Sequence, residues 1–289
     1  MVYGRGGRRE IAPLYRAGRG QKFIYGGYIG YIFLKILISR FVSRVIGAYL
    51  DSPLSRMHIK KFIRKNGLDM SQFDAVKYKS FNDFFTRRVK GECRPVDLSG
   101  SSFISPCDGY LSVYPVSADG TFNVKGFNYT VGSLFKSDEI TRKFMGGLCL
   151  VFRLTVKDYH RYIYLDDCEK GENVFINGKL HTVQPVALES LKVYTENCRE
   201  YTFMRTQNFG EVAQIEVGAM GVGRIKNNHG SGQFKRGEEK GKFEYGGSTI
   251  VVLIKRGSVV LDEEFAENTK NGWETAVKCG ERIGVAAVN

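Results

Sequence analysis

The stretch KFEYGGSTIVVLIKRG, residues 242–257, carries the pattern that decides the fold prediction. Its five consecutive apolar residues, 250–254, predict a strand that is buried on both faces. Two glycines and two hydroxyl residues, at positions 246–249, come directly before this run. Such a tetrad is typical of a turn, but glycine beside serine also suits a contorted backbone that takes part in chemistry. The rest of the chain has to decide between these two interpretations.

Similar strand patterns extend along most of the chain. From residue 101 onward, short apolar runs alternate with turns rich in Gly, Asn and Asp, and residues 213–217 alternate apolar and polar side chains as a half-buried strand does. The glycines of GAMGVG, residues 218–223, do not match a dinucleotide-binding fingerprint and predict a softened strand or a bulge. We therefore expect an α+β fold, with a β-rich domain over residues 91–289 built from sandwich-like or barrel-like sheets.

The first 90 residues predict a separate segment with N-terminal amphipathic helices. Residues 50–70 predict a helix with Pro53 at its first position, a cap among the two residues before it, and Gly67 just past its end. Residues 80–89 predict a second, short helix. Upstream, six apolar side chains recur at helical spacing on one face. They are Leu34, Leu37, Ile38, Phe41, Val42 and Val45.

Positive charge is concentrated in the same segment. The chain of 289 residues has a net charge of +13, and residues 1–50 hold nine basic side chains against one acid, Glu10. A basic face opposite an apolar stripe is typical of a helix that lies in the interface of an anionic phospholipid membrane. A helix that packs on the core is the alternative interpretation. Nucleic acid is the less favoured partner, since the chain has no zinc module and no aromatic RNA-binding motif.

Several classes of protein are disfavoured by motif and composition. The uncharged run at residues 23–34 is too short to span a bilayer as a helix. No GxSxG elbow and no phosphate-binding P-loop occur. The six cysteines form no CxxC pair, so we expect free thiols and no metal site.

Two residues are candidates for chemistry when they are taken together. His160 lies in an apolar run with a charged insert, and Asp108 lies in an Asp-Gly turn. Each residue alone is more typical of structure than of function, because most Asp-Gly pairs form turns and most single histidines are structural. Their interpretation depends on the motifs around them.

Those motifs, in order, resemble the phosphatidylserine decarboxylase family from about residue 24 to the C-terminus. The combination of Asp-Gly, Tyr-His-Arg and Gly-Gly-Ser-Thr at these separations is specific, whereas GGST alone is weak. The segments that carry the resemblance are FNDFFTRRVKGECRPVD (81–97), SPCDG (105–109), DYHRY (158–162), GKLHTVQP (178–185), NCREY (197–201), FGEVAQIEVGAMGVGRI (209–225) and RGEEKGKFEYGGST (236–249).

The resemblance implies a self-processing proenzyme, with the β-rich domain as its catalytic domain. Cleavage between Gly247 and Ser248 leaves a β chain, 1–247, and an α chain, 248–289, that stay together as a heterodimer. Ser248 becomes a covalent pyruvoyl cofactor. It forms a Schiff base with the amine of phosphatidylserine, which loses CO2 to give phosphatidylethanolamine. The family's Ser/His/Asp arrangement falls on Ser248, His160 and Asp108, with Asp108 orienting the imidazole.

One position departs from the pattern that many family members show. Ile163 stands where a second histidine often follows Tyr-His-Arg-x. We therefore expect His160 to serve both maturation and turnover, although the group that protonates the substrate carbanion is left open. Four arginines are candidates for the phosphate of the substrate or for structural ion pairs, and the sequence does not rank them. They are Arg153, Arg161, Arg205 and Arg224.

The expected location is peripheral, on the cytoplasmic face of the cell membrane. Two other functions remain as alternatives, and the motif residues do not distinguish the first of them from a phosphatidylserine decarboxylase. One is a pyruvoyl decarboxylase acting on another serine-headgroup lipid, such as an archaeal-type ether lipid, and the other is a non-enzymatic membrane-surface binding protein. The preference for lipid tails and the oligomeric state, including a homodimer, are left open by the sequence.

Overall fold

The computed structural model describes residues 2–5, 40–124, 126–181, 192–221 and 224–287. These residues form an α+β fold, as predicted. The helices are α1 (Arg40–Asp51), α2 (Ile59–Asn66), α3 (Phe81–Phe85), α4 (Val131–Phe135), α5 (Asp138–Phe144), α6 (Val193–Glu196) and α7 (Glu263–Lys270), with 3-10 turns at Pro53–His58, Met70–Gln72 and Gly91–Cys93. The strands are β1 (Val2–Tyr3), β2 (Ser102–Ile104), β3 (Gly109–Pro115), β4 (Thr121–Val124), β5 (Phe127–Thr130), β6 (Leu148–Leu154), β7 (Arg161–Ile163), β8 (Cys168–Lys170), β9 (Val174–Ile176), β10 (Arg199–Thr206), β11 (Gly210–Gly221), β12 (Ile225–Asn227), β13 (Gly232–Phe234), β14 (Glu239–Phe243), β15 (Gly246–Ile254), β16 (Val259–Leu261), β17 (Glu274–Val277) and β18 (Arg282–Ala286).

Strand β15, which contains the apolar run 250–254, lies inside the main sheet. This sheet has ten strands in the order β1-β17-β3-β6-β15-β11-β10-β8-β13, with β9 beside β10. The apolar run is buried on both faces, since Ile250 and Val252 belong to one apolar cluster while Val251 and Leu253 belong to the other. The prediction of a fully buried strand is therefore confirmed.

The main sheet is open, and smaller sheets and helices cover its two faces. Its outer strands in the described part of the chain are β1 and β13, so the sheet does not close on itself and the barrel-like alternative is not formed. Tyr162 of β7 and Phe243 of β14 join the cluster that contains Ile250, whereas Phe135 of α4 and Phe144 of α5 join the opposite cluster. The core therefore has two layers, one on each face of the central strands.

The predicted helix over residues 50–70 is divided into two parts. Helix α1 ends at Asp51, and Ser52 adopts an extended backbone because a residue before proline is sterically disfavoured in the helical region. A 3-10 turn then leads into α2, which ends at Gly67 with φ of 60° as predicted. The second predicted helix is α3, whose N-cap Ser80 accepts a hydrogen bond from the Asp83 backbone N–H.

The N-terminal segment contains more than helices. Val2–Tyr3 forms an edge strand parallel to β17, and Tyr3 stacks on Trp273 with ring centroids 4.4 Å apart. Arg5 forms ion pairs with Glu264 and two other carboxylates of the C-terminal region. The first residues therefore pack on the β-rich domain. Residues 6–39, with the uncharged run 23–34 and the first half of the predicted apolar stripe, lie outside the described residues, and the domain division stays a prediction.

The described part of the apolar stripe faces largely outward, since Phe41 and Val45 are 74% and 55% exposed and Val42 is half-buried. Helix α1 contacts the core through Leu50, which lies outside the predicted stripe and is buried against Phe81 and Phe84 of α3. Leu54 and Met57 of the following 3-10 turn are also exposed, at 74% and 75%. Within the described ranges, no helix is long and apolar enough to cross a membrane.

Candidate functional site

Three neighbouring strands bring the predicted site residues to one end of the main sheet. Ser248 of β15 pairs with Leu154 of β6, and β6 pairs with β3 through Arg153 and Tyr110. Asp108 directly precedes the first residue of β3, and the loop after Leu154 leads to His160. Positions 108, 160 and 248 are far apart in the sequence. They therefore lie at the same end of the three neighbouring strands β3, β6 and β15.

The Ser248 hydroxyl is buried without a partner. Ser248 is 1% exposed, and its Oγ has no hydrogen-bond partner among the described residues. Burying a hydroxyl without a hydrogen bond costs about 1–3 kcal/mol. A sequence does not retain such a group for stability, so the orphaned oxygen is available for another role.

The backbone next to Ser248 is irregular on both paired strands. Gly246 has φ of 143°, which favours glycine. On β11, the register shifts between Gly218, which faces Ser248, and Gly221, which faces Gly246. Two residues of β11 thus oppose Gly247. The bulge predicted from the glycines of residues 218–223 is confirmed, and it lies opposite the Gly247–Ser248 peptide bond, where bulges often accompany a reactive site.

His160 is held as a neutral base. The Nδ1 atom lies 2.8 Å from the backbone carbonyl oxygen of Asp158, and a carbonyl only accepts, so Nδ1 carries the proton. The Nε2 atom is therefore an unprotonated acceptor, and it is buried with no hydrogen-bond partner in the part of the chain that the structure describes. Burial lowers the pKa of His160 to about 3, and the nearby positive charge of Arg87 acts in the same direction.

Aromatic contacts place His160 beside the chain that leads to Ser248. The His160 ring packs on Phe85 of α3 with centroids 4.1 Å apart, and Phe85 packs on Tyr245 with centroids 5.1 Å apart. The His160 carbonyl accepts the Phe243 backbone N–H at 2.9 Å. His160 therefore contacts the segment that enters β15.

The Asp108 carboxylate has partners other than the histidine. Its two oxygens accept hydrogen bonds from Arg94 Nε at 2.8 Å and Arg94 NH2 at 2.6 Å, and one also accepts the Cys279 backbone N–H at 2.9 Å. The Nδ1 contact that the family resemblance implies for Asp108 is made by the Asp158 carbonyl. Asp108 thus lies in the site region without a hydrogen bond to His160 in this structure.

Asp158 shapes the loop that carries His160. Its carboxylate accepts the backbone N–H of Thr155 at 2.6 Å and the Thr155 hydroxyl at 2.7 Å. Burial raises the pKa of Asp158, the Thr155 bonds oppose this effect, and the negative charge of Asp108 adds to it. Sequence reasoning missed Arg94, Asp158 and Arg87, although all three lie within the quoted motif segments.

The four candidate arginines are engaged in ion pairs. Arg153 binds Glu274 with Nε 2.9 Å from Oε1, and Arg161 binds Glu239 with NH1 2.7 Å from Oε1. Arg205 lies 3.6 Å from Glu169 on the surface. Arg224 is paired with Asp51 and Glu244. Carboxylates therefore hold Arg153, Arg161 and Arg224, and the structural interpretation of these three is favoured over binding of a phosphate, whereas Arg205 is an exposed side chain with one long ion pair.

A buried charged pair lies on the same face of the sheet as Ser248. Lys240 of β14 donates to Glu216 of β11 at 2.7 Å and to Asn227 at 2.8 Å, and both charged side chains are fully buried. Glu216 faces Ile250 across the strands, two residues along from Ser248. The hydrogen-bonded group of Lys240, Glu216 and Asn227 therefore lies near Ser248, on the face of the sheet that also carries Ile250.

Comparison with known proteins identifies the relatives of this chain. The model of the phosphatidylserine decarboxylase family matches residues 81–285. "Phosphatidylserine decarboxylase proenzyme 2" of Clostridium acetobutylicum is 45% identical over 264 residues, which cover 91% of this chain and 90% of the relative. The phosphatidylserine decarboxylase proenzyme of Clostridium novyi is 38% identical over 269 residues, covering 91% of both chains. That of Clostridium perfringens is 38% identical over 274 residues, covering 92% of this chain and 93% of the relative.

Proposed function

Because the chain belongs to the phosphatidylserine decarboxylase family, a family of carboxy-lyases, we propose that it is a proenzyme that cuts itself between Gly247 and Ser248. The mature enzyme converts phosphatidylserine into phosphatidylethanolamine and CO2. The observation that carries the proposal is a pair of buried, unpartnered atoms, Ser248 Oγ and His160 Nε2, at one end of the sheet. One is a nucleophile that needs a base, and the other is a base without a bound proton.

Self-cleavage follows from these two atoms. His160 Nε2 accepts the Ser248 hydroxyl proton while Oγ attacks the Gly247 carbonyl carbon, and the peptide C–N bond breaks as the Ser248 nitrogen takes a proton. The resulting ester eliminates: the Ser248 Cα loses a proton, the Cβ–Oγ bond breaks, and Gly247 leaves as a carboxylate. The remaining dehydroalanine reacts with water and loses ammonia, which leaves a pyruvoyl group at position 248.

The surroundings of Ser248 suit such a group. Its oxygen is buried and unpartnered, and the strand that follows is fixed between β6 and β11. When present, the pyruvoyl group supplies a ketone that binds the substrate amine and accepts the electrons released with CO2. The protein holds this position still and excludes water, which favours loss of a carboxylate.

His160 serves as the proton-transfer group in turnover as well, since its unprotonated Nε2 can take a proton from the ammonium group of the substrate and return it after CO2 has left. The position where many family members have a second histidine is occupied here by Ile163. This residue is buried in β7, and its backbone N–H donates to the Pro106 carbonyl. His160 is already neutral and oriented by the Asp158 carbonyl. We assign positioning roles to Asp108 and Asp158. The Asp158 carbonyl orients the imidazole, and the Asp108 carboxylate accepts hydrogen bonds from Arg94 and from the Cys279 backbone N–H.

The exposed apolar side chains favour peripheral attachment to a membrane. Phe41 and Val45 project from α1, and Leu54 and Met57 project from the turn that follows. Together with the basic N-terminal segment, they suit the interface of an anionic bilayer. The proposed location is the cytoplasmic face of the cell membrane.

Replacement of the nucleophile tests the proposal. Ser248→Ala is expected to remain a single uncut chain and to release no CO2 from phosphatidylserine vesicles, because neither the ester nor the pyruvoyl group can form. Ser112→Ala removes another buried hydroxyl of the same sheet and serves as the control, which should be cut and active. Cleavage of Ser248→Ala at the normal site, followed by decarboxylation, contradicts the proposal.

A further inference from the structure

A groove between the N-terminal helices leads toward the site. It has a volume of about 390 Å3 and lies between α1, α2 and α3. Its walls are largely aromatic and include Tyr49, Phe62, Phe81 and Tyr245. Most ligand sites combine apolar walls with a few placed polar groups, and this groove has that character.

Two lysines supply positive charge along one side of the groove. Lys61 and Lys65 are one helical turn apart on α2, so their ammonium groups lie on the same face. Both are exposed, and neither forms an ion pair with any described residue. None of the residues that line the groove is acidic. The groove is therefore complementary to an anion, in contrast to the three arginines that carboxylates already hold.

The inner end of the groove is one aromatic layer from His160. Tyr245 lines the groove and contacts Phe81 and Phe85, with ring centroids 5.2 and 5.1 Å apart. Phe85 in turn packs on the His160 ring. Tyr245 also precedes Ser248 by three residues. A ligand in the groove thus has one end beside the reacting segment.

The helix that forms one wall of the groove also carries exposed apolar side chains. Helix α1 contributes Tyr49 and Leu50 to the groove, and the same helix exposes Phe41 and Val45. An occupant with one apolar end and one anionic part fits this arrangement, since its tail can remain in the lipid phase while its charge meets the lysines.

We infer that the groove holds the glycerophosphate part of the lipid substrate, with Lys61 and Lys65 binding the phosphate. The inference rests on the proposed function and adds a substrate-binding site to it. The aromatic walls contact the glycerol and the first carbons of the acyl chains, and the serine headgroup points past Tyr245. The two lysines therefore set affinity for the substrate and have no part in self-cleavage.

A matched pair of double variants tests the site. Lys61→Gln/Lys65→Gln removes the two groove charges, and Lys60→Gln/Arg64→Gln removes two charges from the same helix outside the groove lining. In the uncut Ser248→Ala background, calorimetric titration with monomeric dihexanoyl phosphatidylserine is expected to show affinity reduced about tenfold or more for the first variant. The second variant should bind as the parent does. In the self-cleaving background, the first variant should be cut normally and show a raised KM with kcat nearly retained.

Three outcomes overturn the inference. Equal losses in both double variants point to general attraction of the lipid by charge, and no loss in either removes the lysines from the site. Inorganic phosphate that binds the parent as tightly as the lipid identifies a free-phosphate site instead. The titration needs no pyruvoyl group, so failure of the inference is distinct from failure of the proposed function, which an uncut parent chain would reveal.

Discussion

In the role that we propose for it, His160 is oriented by a backbone carbonyl, where the serine protease arrangement uses a carboxylate. The Asp158 carbonyl fixes the Nδ1 proton and leaves Nε2 as the base, but it brings no negative charge to stabilise an imidazolium. Burial and the positive charge of Arg87 lower the pKa of His160 and keep the imidazole neutral, although the hydrogen bond to the Asp158 carbonyl acts in the opposite direction. A base with a low pKa is weak, yet it is fully unprotonated at any pH at which the cell works.

The titration of His160 is therefore predicted to be displaced far below the ordinary value. With a pKa of about 3 in the folded chain, against about 6.5 unfolded, the ring should stay neutral at pH 5. Nitrogen NMR of the imidazole in the Ser248→Ala chain should show a protonated Nδ1 and a bare Nε2 between pH 5 and 8. A His160 signal that titrates near pH 6.5 contradicts this prediction.

The same shift has a consequence for stability. Between pH 6.5 and 3 the unfolded chain binds a proton at this position that the folded chain does not, so His160 lowers the free energy of unfolding as pH falls through this range. Above pH 6.5 the ring is neutral in both states, so this loss of stability is absent. Between the two pKa values, the free energy of unfolding falls by at most about 1.4 kcal/mol per pH unit.

At the scale of elements, β14 and β11 are joined by a charged pair in the core. Lys240 and Glu216 have no access to solvent, and Asn227 and Gln214 complete their hydrogen bonds. Such a pair contributes little net stability against a well-packed apolar alternative, but it is costly to break because one charge is then left buried and alone. The pair therefore fixes the position of β14 over the sheet.

Lys240→Met is accordingly predicted to lower the free energy of unfolding by about 3–5 kcal/mol. Denaturant titration of the uncut Ser248→Ala chain measures this loss in a single polypeptide. Adding Glu216→Gln should recover part of it, since the orphaned charge is removed. Lys235→Met, which breaks a pair with Asp167 at the surface, is the control and should change stability far less. Equal effects of the two lysine variants contradict the assigned role.

Elements that depend on local chemistry were predictable from the sequence. The apolar run 250–254, the bulge at residues 218–221 and the Gly67 helix end all follow from properties of single residues or short patterns. The prediction placed the start of a helix near residue 50, whereas α1 ends at Asp51 and a 3-10 turn begins at Pro53. The proline was the residue that indicated this boundary.

The unpredicted features depend on tertiary contacts. A backbone carbonyl has no sequence signature, so the Asp158–His160 contact could not be inferred. The Arg94–Asp108 bond spans 14 residues and forms only when the strand ends meet. A lysine is expected at the surface by default, which concealed the burial of Lys240. The family resemblance pointed to the right segments, but it did not give the partners of their side chains.

At the scale of the molecule, the proposed cut would divide a single sheet between two chains. The fragment 248–289 would contain β15 from Ser248 onward, which lies between β6 and β11, together with β17 between β1 and β3, and β18 beside β2. Arg153 pairs with Glu274 across the same division, as Arg5 does with Glu264. Apolar contacts on both faces of β15 make the association largely insensitive to salt.

The two chains are therefore predicted to co-elute in gel filtration at both 0.15 and 1 M NaCl. They should separate only in denaturant, because the strands of the smaller chain have neighbours from the larger one. Separation of the fragments in 1 M NaCl without denaturant contradicts this packing, since it would show that surface ion pairs alone hold the chains together.

Self-cleavage requires that the Gly247–Ser248 bond breaks and leaves a carbonyl group at position 248. Intact mass spectrometry of the purified, denatured protein can detect both changes. We expect a C-terminal fragment of 42 residues, 248–289, whose first residue has the mass of a pyruvoyl group and reacts with hydroxylamine. A single uncut chain of 289 residues with no carbonyl reactive toward hydroxylamine would contradict it.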